Sequence, residues 1–337
     1  MSNEAKTTGP TVRSIRASKW YGSVTALQEV TLDFGAGIWG LLGPNGSGKT
    51  TFLNLIAGQL RPSLGEVRVT GENPSDSHAV MRRIGFCPEA DALYDDLTAL
   101  EFVTAMAELT GYDRAEAKTR AAAILDVFGL TDAQDRKLGG YSRGMRQRAK
   151  IAQALVHDPD VLLLDEPLTG TDPISRQVIL EEIRRRAATG TLVIFSTHVL
   201  HEVESLTDQV LLIARGQVVA QGRVEEIRSL MEEYPHHIRI GCADPRALAV
   251  RLAAVESVSA LYLGAQDVTV ATQRPDHTYG AIADIVVGNG IAVTSLTSPD
   301  ATLEALFHHL VEHASAGAGT GADAAVGRAK SPGEARS

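Results

Sequence analysis

The run Gly43-Pro44-Asn45-Gly46-Ser47-Gly48-Lys49-Thr50 constrains this chain more than any other stretch. It follows an apolar segment, Gly37-Ile38-Trp39-Gly40-Leu41-Leu42, that reads as a strand. It leads into Thr51-Phe52-Leu53-Asn54-Leu55-Ile56-Ala57-Gly58, which is apolar at helical spacing and closed by glycine. Glycines in such a loop let successive backbone N–H groups turn toward phosphate oxygens, and the helix N-terminus behind them adds partial positive charge. Lys49 brings a full charge to the terminal phosphates, and the Thr50 hydroxyl can ligate Mg²⁺. A glycine-rich surface turn is the plain alternative, but a turn needs neither flank. The strand–loop–helix context implies a site for a nucleoside triphosphate.

Further along, Val161-Leu162-Leu163-Leu164-Asp165-Glu166 reads as a buried strand ending in two carboxylates. A strand end beside the loop puts Asp165 where it can hold Mg²⁺. Glu166, pointing elsewhere, can orient or deprotonate a water. Between the two elements lies Gly140-Tyr141-Ser142-Arg143-Gly144-Met145-Arg146-Gln147-Arg148, opening a helix that runs to about His157. Ser142 is a natural N-cap, so a second anion-seeking helix terminus is present. It is either an ordinary capped helix or a site for the ATP of another copy.

The ordered set is the phosphate loop, Ser142 to Gln147, Leu164-Asp165-Glu166-Pro167, Thr171-Asp172-Pro173 and Ser196-Thr197-His198. Over roughly residues 11–230 this resembles the ATP-binding subunit of an ABC transporter, and more narrowly the drug, lipid and polysaccharide exporter branch. The resemblance implies an α/β P-loop ATPase core of ABC type with an antiparallel β subdomain and a helical subdomain at about residues 90–158. It implies ATP and Mg²⁺ as ligands. Gly43, Asn45, Gly46, Ser47, Gly48, Lys49, Thr50 and Thr51 then hold phosphate and metal, and Tyr21 stacks on adenine. Glu166 is the catalytic base, with His198 holding it and the γ-phosphate. Ser142 and Gly144 serve the ATP of a second copy in a homodimer, and Asp172 bridges the two copies.

Three positions depart from the family. Glu89 stands where glutamine is usual; a glutamate still ligates Mg²⁺, giving Thr50, Glu89 and Asp165 as metal candidates, but adds negative charge. Arg143 replaces a commoner glycine, either crowding the second nucleotide or adding a cation. Thr171 replaces a leucine. Lys49, Glu166 and His198 remain, so the site reads as competent for hydrolysis.

Composition agrees with a cytosolic globular protein of 337 residues, 44% apolar and 22% charged, ample for two domains. No apolar run spans a bilayer and no secretory core opens the chain. Transport therefore requires a separate membrane permease, with this chain peripheral on the inner face of the membrane. The net charge of −9 gives no global attraction to nucleic acid, and none is expected as partner. Cys87 and Cys242 lack metal spacing and read as free thiols.

Residues 11–70 read as short strands and turns. Residues 232–312 read as a separate α+β unit in the order strand–helix–strand–strand–helix–strand, a ferredoxin-like sheet with a helix from Ala301 to His313 added. Its default role is regulatory or dimer-stabilising, with substrate sensing as the alternative. The adjacent pairs His236-His237 and His308-His309 point apart and make poor metal sites. Residues 1–10 read as flexible. From His313 on, 13 of 25 residues are Ala or Gly, too little apolar surface to fold, so a disordered tail is expected. A translation-factor ATPase usually carries two cassettes, and only one phosphate loop occurs. A chromosome-structure ATPase needs a long heptad insertion, for which the interval from Lys49 to Ser142 is too short.

Overall fold

A computed structural model describes residues 9–91, 93–226 and 236–298. The expectations for residues 1–8, for the division near residue 231, for the helix Ala301 to His313, for His308-His309 and for the tail lie outside these.

Two antiparallel strands open the chain, β1 (Val12–Tyr21) and β2 (Val24–Phe34), turning at Gly22 with φ +59°. β3 (Gly37–Leu42) leaves them for another sheet and runs into helix α1 (Lys49–Ile56); β4 (Leu64–Val69) returns to β1. The result is a three-stranded sheet in the order β2-β1-β4. Residues 11–70 are thus not simply short strands and turns. β1 and β2 are long, and the stretch between β2 and β4 belongs to the core, because β3 is apolar enough to be buried between neighbours.

After the one-turn α2 (His78–Met81) come β5 (Ile84–Cys87) and three longer helices, α3 (Ala99–Leu109), α4 (Arg114–Val127) and α5 (Arg143–Leu155). The chain then alternates through β6 (Val161–Asp165), α6 (Pro173–Ala188), β7 (Leu192–Thr197), the short α7 (Leu200–Glu204), β8 (Gln209–Ala214) and β9 (Gln217–Arg223). The central sheet runs β5-β6-β7-β3-β8-β9, parallel except for β9. Every residue of β6 and β7 is buried. That is why both read as continuous apolar runs: a parallel sheet is covered on both faces. Successive residues face opposite sides. Leu162, Leu164 and Phe195 join the core shared with α3–α6, whereas Leu163, Ile194 and Leu41 meet Phe34 and Phe52 under the antiparallel sheet.

Small residues let the helices α3, α4 and α5 approach closely: Ala107, Ala117, Ala121 and Ala149 are fully buried around Phe128. Thr98 starts α3 with a reciprocal capping box to Glu101, and Asp113 caps α4. Gly129, at φ +61°, follows the end of α4. Asp158 ties this helical layer to the sheet layer, accepting from Arg120 of α4 at 2.8 Å and Arg186 of α6 at 2.6 Å.

The C-terminal unit has β10 (His236–Cys242), α8 (Pro245–Leu252), β11 (Val258–Leu263), β12 (Asp267–Thr272), α9 (Pro275–Asn289) and β13 (Val293–Thr297). Its antiparallel order β11-β12-β10-β13 is the ferredoxin-like arrangement. The core is formed by Ile238, Ile240, Val268 and Val270 against Leu248, Leu252 and Ile282. The last strand starts at Val293 rather than Ile291, because Ile291 is used to close α9. Its N–H bonds the Val286 carbonyl while Gly290 takes φ +61°, a Schellman ending.

Thr98→Ala removes one half of the α3 capping box and is expected to lower unfolding stability by about 1 kcal/mol. Urea denaturation checks this; an unchanged midpoint would mean the cap contributes nothing.

Candidate functional site

The C-terminal ends of β3, β6 and β7 converge at the loop Gly43 to Gly48. Two of its glycines hold conformations other residues avoid, Gly46 at φ +76° and Gly48 at φ +109°. A Cβ on Gly43 would run into the Ile213 carbonyl, so this residue is fixed by space rather than by φ. The loop is anchored to its neighbours by Gly43 N–H to Thr197 O (3.3 Å) and Gly216 N–H to Ser47 O (2.8 Å). Asn45 and Gly46 are exposed at its crest. α1 starts without a side-chain cap and without an acidic residue in its first turn, so its N-terminal dipole is left for an anion. Thr50 is exposed and Thr51 half-buried in that first turn. Lys49 is buried and donates to the carbonyls of Gly43 (2.7 Å) and Pro44 (3.2 Å).

Asp165 ends β6, in register with Ser196 of β7. Ser196 Oγ donates to Asp165 Oδ1 at 2.5 Å and accepts the Glu166 N–H at 3.0 Å. Asp165 Oδ2 and Ser47 Oγ are buried with no hydrogen-bond partner among the described residues. Leaving a buried polar atom unpaired costs about 1–3 kcal/mol, and more for a charged one. The hydroxyl and carboxylate oxygens here are the hard donors Mg²⁺ takes, so the residues fit that ion.

Glu166 has φ +48°, a strained value for a non-glycine residue, and the backbone turn separates its carboxylate from that of Asp165. Three groups hold the carboxylate. Lys49 Nζ lies 3.7 Å from Oε1, His198 Nδ1 lies 3.1 Å from both oxygens, and Thr169 Oγ1 donates to Oε2 at 3.1 Å. Lys49 and Glu166 are each only 6% exposed. Burial pushes the Lys49 ammonium below its usual range, against the opposing pull of Glu166, Asp165 and Glu89. His198 is half exposed, and the turn carrying it is fixed by Thr197 Oγ1 donating to Glu202 at 2.6 Å.

The remaining candidates sit around this centre. Glu89 is exposed; its carbonyl accepts from the buried Lys150 at 2.9 Å, and its carboxylate acts on Lys49 through charge. Tyr21, half exposed at the end of β1, has Lys19 Nζ 5.5 Å from its ring centre. Ser142 caps α5, accepting from Met145 N–H at 3.3 Å. Asp172 caps α6: its carboxylate accepts from the Ser175 N–H (2.9 Å) and hydroxyl (2.7 Å), which hold its carboxyl below the usual range. Gly144 packs directly on that carboxylate, so a Cβ there would strike it. Within the described chain, Asp172 is committed to its own helix.

Sequence reasoning gave no role to Ser196, Thr169 or Gln147. Gln147 Nε2 donates to the Pro167 carbonyl at 2.9 Å, fixing the residue after Glu166. Two hydroxyls, Ser196 and Thr197, closing an apolar strand were the available signal for Ser196. Its meaning depends on the β6–β7 register.

A buried cation, an anion-seeking helix end and a restrained carboxylate at the rim of one parallel sheet are the means of splitting a nucleoside triphosphate; the fold and site define an ATPase of the cassette class. The family described as ABC transporter matches residues 27–169. The chain is similar to the daunorubicin/doxorubicin resistance ATP-binding protein DrrA of Streptomyces peucetius, 36% identical over 313 residues, covering 91% of this chain and 94% of that one. Among solved structures it resembles an ATP-binding subunit of an ABC transporter (TM-score 0.60, 29% identity, 65% of this chain, 92% of the other). It also resembles a dimeric ATP-binding cassette, MJ0796, bound to ADP and Pi (TM-score 0.59, 26% identity, 63% and 98%). The chain belongs to the ATP-binding proteins of ABC transporters. It binds and hydrolyses ATP.

Ser196→Ala should orphan the Glu166 N–H and leave Asp165 without its donor, lowering stability by about 1–3 kcal/mol. It should also cut kcat about 10-fold with little change in ATP affinity. Thermal unfolding and steady-state ATPase assays check both; wild-type turnover would show that Ser196 only packs.

Proposed function

We propose that two copies of this chain close over two ATP molecules and use their hydrolysis to drive export through a separate membrane permease, with the chain lying on the inner face of the membrane. The observation that carries the reading is the restraint of Glu166 by Lys49, Thr169 and His198 at once, because a base must be aimed before it can act. No helix among the described residues is long and apolar enough to cross a membrane, which supports a separate permease. The name of DrrA, a drug-resistance protein, supports export.

In this reading Lys49 exchanges the Gly43 and Pro44 carbonyls for β- and γ-phosphate oxygens, and the N–H groups of the loop and first turn of α1 take the rest. Tyr21 offers its ring face to adenine. Thr50, Asp165 and Glu89 would hold Mg²⁺, which would supply positive charge to the phosphate oxygens. Glu166 takes a proton from water as the water oxygen attacks the γ-phosphorus and the bond to ADP breaks. His198 keeps the carboxylate aimed and contacts the γ-phosphate. Ser142 and Gly144 meet the γ-phosphate held by the other copy, and Asp172 lies at the seam between copies. The dimeric relative bound to ADP and Pi supports such pairing.

Glu166→Gln tests the reading. Turnover should fall by about 10²-fold or more while ATP binding is kept. Light scattering should show an ATP-dependent pair of copies. Hydrolysis near the wild-type rate would refute Glu166 as base.

A further inference from the structure

The segment from Pro167 to the Asp172 cap of α6 is held by α5 at three places. Gln147 grips the Pro167 carbonyl at 2.9 Å, and Gly144 lies against the Asp172 carboxylate. The third place involves Arg143. Gly170 has φ +70°, and a Cβ built on it would stand 2.8 Å from Arg143 Nε and 2.9 Å from its Cζ. The guanidinium therefore lies across the backbone of Gly170 where any other residue would put a side chain. Gly170 directly follows Thr169, whose hydroxyl holds the Glu166 carboxylate at 3.1 Å. Among the described residues no hydrogen bond or ion pair occupies the Arg143 donors, so its contact with Gly170 is one of packing.

We propose that Arg143 is a positioning residue for hydrolysis in its own chain: by lying across Gly170 it sets Thr169, and Thr169 sets Glu166. The inference rests on the reading of Glu166 as the base. Arginine suits this place because its flat guanidinium can rest on a bare backbone over a wide area, which neither glycine nor the rounder lysine ammonium does. Gly170 is required by its φ of +70°, and the space its missing side chain leaves is the space the Arg143 guanidinium fills. The arrangement also gives the N-terminal end of α5 a route to its own chain's base. In the proposed dimer that same end faces the nucleotide of the other copy.

The test is a double-mutant cycle on the full chain. Thr169→Ala should lower kcat about 10-fold and Arg143→Ala about 5-fold, each with ATP affinity within about 2-fold of wild type. If Arg143 acts through Thr169, the double variant is no slower than Thr169→Ala alone. Thr169→Ser restores turnover, since it keeps the hydroxyl. Losses that multiply in the double variant, or an Arg143→Ala effect confined to ATP affinity, would overturn the relay. Mixed pairs of differently tagged copies decide which chain feels the change. An Arg143→Ala copy paired with a Lys49→Ala copy retains one site, built on the loop and Glu166 of the Arg143→Ala copy. The proposal requires that site to be slow. When both substitutions sit in one copy opposite a wild-type partner, it requires the surviving site to run at the rate of a Lys49→Ala/wild-type pair. The reverse pattern would mean that Arg143 serves the other copy's nucleotide directly. Activity retained by Glu166→Gln would instead remove the base itself, a failure separable from that of the relay.

Discussion

The structure turns on one buried charge. Lys49 is desolvated at the head of α1, and burial alone would favour its neutral form. Glu166 at 3.7 Å, together with the charges of Asp165 and Glu89, opposes that loss, and two carbonyls accept its hydrogen bonds. A buried ion pair gains little net stability over apolar packing, and removing one partner leaves the other uncompensated. Such a cluster is therefore poor architecture, and the proposed mechanism gives it a use: the ammonium exchanges its two carbonyls for phosphate oxygens. The strand order makes it possible, since β3, β6 and β7 lie side by side and deliver loop, acids and histidine to one rim.

α5 is the second organising element. Along one face Gln147, Lys150 and Gln153, followed by His157 just past its end, reach main-chain carbonyls of Pro167, Glu89, Phe86 and Ile84. Spacings of three and four residues put these side chains in a row. The row joins the loop after Glu166 to the segment carrying Glu89, so a helix that begins at Ser142 is tied to both. Burial lowers the pKa of His157 and pushes the Cys87 thiol up to about 12, so Cys87 stays an inert thiol. Both are parts of the frame.

Much of this was legible in the chain itself. The loop, the β6 carboxylates and the caps at Thr98 and Ser142 are local signals, each complete within a few residues. The C-terminal strand order followed from alternation and turns. Hidden from the sequence were relations that depend on register and approach: Ser196 opposite Asp165, Thr169 folding back on Glu166, Arg143 lying over Gly170. Ser196 and Asp165, and Arg143 and Gly170, are joined only by the packed sheet and helices; Thr169 lies three residues from Glu166, but its return depends on the positive φ at Glu166, which no motif marks. Asp172 taught the converse, since the same residue that the family pattern puts at a seam is also an ordinary helix cap in its own chain.

The most direct test of the account is calorimetry of ATP and ADP binding to the full chain and to Lys49→Met. If the buried ammonium is held in reserve for the terminal phosphates, the substitution should weaken ATP binding by at least about 30-fold, the loss of a desolvated charge pair. ADP binding should be weakened much less. Equal affinity of the two proteins for ATP would contradict the account at its centre.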